Sequence, residues 1–103
     1  MDISQKNLPS APLRLAIDLK AIAANYRTVR DLVGPAKAAA VVKADAYGLG
    51  VRAVAPALVG AGCDAFVVAR VAEGVALRLL APTVRIFVLD GAPAGSIAAL
   101  DTY

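Results

Sequence analysis

The sequence predicts an α/β fold with a parallel sheet, in which about three βα units form the opening portion of a (β/α)8 barrel. Two observations carry this. Short apolar runs bounded by breakers alternate with stretches of helical periodicity, and strands joined through helices must pair in parallel with right-handed crossovers. At 103 residues the chain has room for one small domain at most. Three units do not close an eight-stranded barrel. They suit a small open three-layer sheet or the first part of a larger barrel, and the stop inside the helix-like segment 93–103 favours the barrel.

Each element has its own signal. Residues 1–12 are polar, carry Pro9 and Pro12, and are expected to form a flexible arm; residues 13–103 are expected to form the barrel portion. The segment 13–18, LRLAID, alternates apolar and polar residues and predicts a short half-exposed strand. Asp18 can cap the helix that comes next, in which Leu19, Ile22, Tyr26, Val29 and Val33 form one apolar stripe. Gly34 and Pro35 stop that helix. The run 36–44 is alanine-rich, but Val41, Val42 and the flanking breakers tip it toward a strand that is apolar on both faces. A short helix is expected over 53–61 with Pro56 near its first turn, because proline deeper inside costs about 3 kcal/mol. A second buried strand is expected over 65–69 and a helix over 71–81, weakened by Gly74 and ended by Pro82. A third buried strand is expected over 84–91.

Composition excludes several function classes. Apolar residues make up 59% and charged residues 18%, so the chain can build a core and intrinsic disorder is not expected. The net charge of +3 comes from scattered Lys and Arg with few aromatics, which does not make a nucleic-acid surface. The chain has no histidine and one cysteine, Cys63. That removes an internal disulfide, His-based metal sites and Ser-His-Asp or Cys-His catalysis. Cys63 reads as a small buried thiol. The polar start lacks a signal-peptide core, and no run suits a membrane span, so a soluble cytoplasmic protein is expected.

One stretch resists a packing explanation. In AVVKADAYGLG, residues 40–50, a lysine ends the apolar run. Strand parity puts Lys43 on the face of Ala39 and Val41, extending a buried row at the carboxyl end, where parallel α/β folds collect their chemistry. The plain reading is a lysine that ends the strand and reaches solvent. The sharper reading is a desolvated amine able to form a Schiff base with a carbonyl compound. Tyr47 offers a hydroxyl nearby, and Gly48 and Gly50 could let backbone amides approach an anion. Such a set suits an aldehyde that bears a phosphate, of which pyridoxal phosphate is an example. Asp45 is expected to shape the turn, Glu73 to sit on a solvated helix face, and Asp90 with Gly91 to end a strand.

The same stretch resembles the pyridoxal-phosphate lysine motif of alanine racemases, AVVKA(N/D)AYGHG, with Leu49 in place of the motif histidine. LAIDLKAIAANYRTVR, FVVARVAEGVALR and RIFVLDG are similar to segments of that family in the same order, so the resemblance covers about residues 13–92. It implies a TIM-type barrel followed by a β-rich domain, and a homodimeric enzyme that interconverts L- and D-alanine for peptidoglycan precursors. It implies that Lys43 carries pyridoxal 5'-phosphate as an internal aldimine and serves as the base on one face of the substrate, and that Tyr47 hydrogen-bonds the cofactor phosphate. A partner-subunit tyrosine and the arginine that faces the pyridine nitrogen have no counterpart in these 103 residues. The chain by itself is therefore expected to be inactive. Two other readings remain: a non-catalytic pyridoxal-phosphate protein of cofactor handling, and an inactive fragment.

Overall fold

The computed structural model describes residues 13–103; the expected arm, 1–12, lies outside the described residues. The chain forms helix α1 (Leu19–Val33), strand β1 (Ala40–Val41), a five-residue turn α2 (Lys43–Tyr47), helix α3 (Val51–Gly60), strand β2 (Ala65–Val68), helix α4 (Val71–Leu80), strand β3 (Arg85–Val88) and helix α5 (Ile97–Thr102). The strands form one parallel sheet in the order β1-β2-β3. Each strand therefore lies beside the next one in sequence, the arrangement that builds a barrel one unit at a time.

Local chemistry explains the boundaries. Asp18 Oδ1 accepts the Ala21 N–H at 3.0 Å and starts α1. Gly34, at φ 59°, ends it in a conformation that favours glycine. Helix α3 begins at Val51, two residues earlier than expected, so Pro56 falls inside the helix and not in its first turn. The C-terminus of α4 is tied by Arg78, whose Nη1 donates to the carbonyls of Ala81 and Pro82 at 3.3 and 3.1 Å.

The core lies between the sheet and helices α3 and α4. Val42, Val54, Ala55, Leu58, Phe66, Val68 and Leu77 are buried together there. Phe66 is fully buried and pairs in register with Ala40 on one side and Ile86 on the other. Leu19, Ile22 and Tyr26 of the α1 stripe pack against this cluster, whereas Val29 and Val33 near its end are exposed. Cys63 is the expected buried thiol, and its Sγ donates to the Ala65 carbonyl at 3.2 Å.

Three expectations need correction. Residues 13–18 form no strand, and Leu13 and Leu15 are exposed. Alternation alone does not make a strand without a neighbour to take its backbone hydrogen bonds. The strand expected over 36–44 shrinks to Ala40–Val41. Among the described residues the sheet is covered on one face only: Val41, Val67 and Phe87 are register partners on the other face, and Val41 and Phe87 are 42% and 51% exposed. That is the face a closed barrel would enclose. Among the described residues no helix is long and apolar enough to span a bilayer.

Candidate active site

Lys43 stands just past the carboxyl end of β1, two residues beyond Val41. Its side chain is half-buried, and among the described residues its ammonium has neither an ion pair nor a hydrogen-bond partner. Strand parity predicts a buried row here. Instead Ala39 and Val41 are exposed, Val42 is the buried neighbour, and the strand has ended before Lys43.

Beyond Lys43 the chain enters a left-handed turn. Ala44, Asp45, Ala46 and Tyr47 have φ of 52°, 55°, 56° and 56°. Four consecutive non-glycine residues in this region are costly, at roughly 1–2 kcal/mol each. Such strain persists only where the surroundings over-determine it. Here they do. The Gly48 N–H donates to the Ala44 carbonyl at 2.9 Å, the Gly50 N–H to the Asp45 carbonyl at 2.9 Å, and the Ala46 N–H to the Val42 carbonyl at 3.0 Å. Asp45 Oδ1 accepts the Val51 N–H at 2.9 Å, so Asp45 shapes the turn as expected and also starts α3. Ala46 anchors the turn from below, buried in the core.

This network corrects one expectation. The amides of Gly48, Leu49 and Gly50 are all engaged inside the turn, so they are not free to cradle an anion. The Tyr47 hydroxyl is the donor that remains. Tyr47 closes the turn that Lys43 opens and is 63% exposed, and among the described residues its hydroxyl has no partner. A half-buried amine and an exposed phenol, four residues apart on a rigid turn, fit a phosphorylated aldehyde: the amine can condense with the aldehyde and the phenol can donate to the phosphate.

Glu73 was not legible as part of this site. Its carboxylate accepts the Ala69 and Arg70 N–H groups on Oε1, both at 3.0 Å, and the Ala44 N–H on Oε2 at 2.7 Å. Partial burial by itself would raise its pKa. The backbone bonds from Arg70, Ala44 and Ala69, with the charge of Arg70, outweigh that and hold the carboxyl below its ordinary value. The available signal was a glutamate at the third position of a helix. It was masked because the residue three before it is Arg70, which has no acceptor to complete a capping box.

The other candidates fall elsewhere. Tyr26 packs against the core, and burial foremost, then Cys63, raises its phenol above the ordinary value. Asp90 lies in the turn after β3, 3.8 Å from Arg70 Nε in an exposed ion pair of little energetic weight. A cleft between α4, β3 and α5, lined by Val71, Gly74, Val88 and Tyr103, does not include Lys43 or Tyr47.

A parallel βα segment with a lysine at a strand's carboxyl end, unpaired among the described residues, suits the class of barrel proteins that keep their chemistry at that rim. The chain belongs to the alanine racemase N-terminal domain family, whose model matches residues 17–103. It is 56% identical over 81 residues to the biosynthetic alanine racemase of Agrobacterium fabrum, covering 79% of this chain and 21% of that protein. It is 55% identical over 82 residues to the alanine racemase of Rhizobium meliloti, covering 80% and 22%. Among solved structures it is similar to the alanine racemase of Bartonella henselae with covalently bound pyridoxal phosphate, at TM-score 0.79 and 45% identity, covering 84% of this chain and 24% of that one. The chain thus spans about a fifth of the length of the curated relatives it matches.

Proposed function

We propose that this chain supplies the cofactor-holding part of an alanine racemase, with pyridoxal 5'-phosphate held by Lys43 and Tyr47. The observation that carries the reading is the Lys43 amine at the end of β1, unpaired among the described residues, in a chain 45% identical to a racemase crystallised with covalently bound pyridoxal phosphate. The bound cofactor would supply an electron sink for the negative charge left when a proton departs from the substrate Cα. Lys43 Nζ would hold the cofactor covalently and, once released, take or return a proton on one face of Cα. Tyr47 would donate its hydroxyl to the phosphate.

Racemisation needs a proton donor or acceptor on each face of Cα. The described residues bring one amine and one phosphate-directed phenol to this rim, so the chain alone is expected to show no measurable alanine racemisation. We read the working enzyme as a homodimer of longer subunits in the cytoplasm, making D-alanine for peptidoglycan; the names of the relatives support the racemase part of this reading.

The test is chemical trapping. The protein is incubated with pyridoxal 5'-phosphate, reduced with borohydride and digested. A phosphopyridoxyl group on the Lys43 peptide is expected, and Lys43→Ala should abolish it. Labelling spread over other lysines and unchanged in Lys43→Ala would refute the assignment.

A further inference from the structure

We propose that Glu73 is a positioning residue for Lys43, one that fixes the peptide on which the lysine is carried. The inference rests on the function proposed for Lys43. Three observations support it.

The first is the reach of the carboxylate. An N-terminal cap for α4 needs only the bonds that Oε1 makes with Ala69 and Arg70. Oε2 goes further and takes the N–H of Ala44, 29 residues away in sequence, at 2.7 Å. That distance is at the short end for a charge-assisted bond. The second is the identity of the donor. The Ala44 nitrogen belongs to the Lys43–Ala44 peptide, so holding it sets the ψ angle of Lys43 and with it the direction in which the chain leaves the lysine. The third is the strain beyond. Ala44 is the first of four residues held in the left-handed region, and a turn of that kind relaxes unless it is clamped at its ends. Ala46 in the core and Asp45 on α3 hold its later part, and Glu73 holds its start. One carboxylate therefore ties the carboxyl ends of neighbouring strands β1 and β2 together at the place where the amine is presented.

The experiment compares the wild-type chain with Glu73→Ala, Glu73→Gln and the double variant Arg70→Ser/Glu73→Ala. The serine offers α4 a side-chain cap that does not involve Ala44. Two quantities are read: the rate of phosphopyridoxyl trapping on Lys43, and amide hydrogen exchange at Ala44. Circular dichroism checks folding. Glu73→Ala is expected to slow trapping and to speed Ala44 exchange, each by about tenfold or more, as loss of a hydrogen bond to a charged group implies. The added serine should restore neither. Glu73→Gln keeps one acceptor oxygen and should fall between. Wild-type trapping and exchange in Glu73→Ala, or their restoration by Arg70→Ser, would overturn the proposal. If Glu73→Ala does not fold, Glu73→Gln decides, and wild-type values in it overturn the proposal equally. If the wild-type chain is not trapped at Lys43, the function proposed for Lys43 fails; Ala44 exchange in the variants then still decides whether Glu73 holds the turn.

Discussion

Ala44 occupies a backbone conformation that alanine avoids, and its side chain is exposed. Replacing it by glycine removes the steric penalty of the left-handed region, at the expense of a more flexible unfolded chain. We expect Ala44→Gly to stabilise the fold by about 0.5–1 kcal/mol in urea unfolding. Ala46 shares the conformation but is buried, so the same substitution there also removes a packed methyl and should gain less. Glu73 brings a pH dependence. Its folded pKa is depressed, so its contribution is fully present above the unfolded value of about 4.3 and is lost as pH falls through the lower folded value. The urea midpoint should therefore fall on acidification below about pH 4.3, and this part of the fall should be missing in Glu73→Gln. At this scale the sequence showed Lys43, Tyr47 and Asp45, because residue type and position after an apolar run announce them. It hid the left-handed turn, since Ala-Asp-Ala-Tyr carries no glycine where φ is positive. It also hid Glu73, whose decisive partner is a backbone amide from another βα unit.

Helix α4 illustrates how far element-level patterns reach. Its limits matched the expectation to within one residue, as did the ends of β2. Gly74 reads in the sequence as a weakness of this helix, and the structure shows what surrounds it. It is buried, and a methyl added there would stand 3.5–3.7 Å from the γ2 methyls of Ile86, Val68 and Val88, ordinary contact distances. Gly74→Ala should therefore fit and raise stability by roughly 0.5–1 kcal/mol, measurable as a higher urea midpoint with an unchanged slope. A lower midpoint would show that the helix cannot accept even that volume. The short β1 was harder to delimit. An alanine-rich run supports strand and helix alike, and only the ladder to Phe66 and Val67 decides which two residues pair.

The described residues form a slab, 20 Å thick along its shortest axis, with one sheet face dressed by helices and the other left bare by them. Val41, Val67 and Phe87 run across the bare face, and Leu89 is exposed just beyond β3. Apolar surface of this kind should bind a hydrophobic dye such as anilinonaphthalene sulfonate in the folded state. Phe87→Glu should weaken that fluorescence without lowering helical circular dichroism, because Phe87 is 51% exposed and outside the buried cluster. The parallel βα order was legible because it depends on alternation along the chain. The bare face was not, because which side of a strand is covered depends on how many neighbours the sheet goes on to acquire.

The strand order β1-β2-β3 also has a consequence for timing. Each strand pairs with the one synthesised just before it, so the contacts form in the order in which the ribosome releases the chain. The bond from Ala44 to Glu73 closes a loop of 29 residues, a length translated in a few seconds, roughly 1.5–6 s. The seat of the lysine can thus be complete on a nascent polypeptide before β3 has emerged, and a cofactor present in the cell could meet a finished lysine on an unfinished protein.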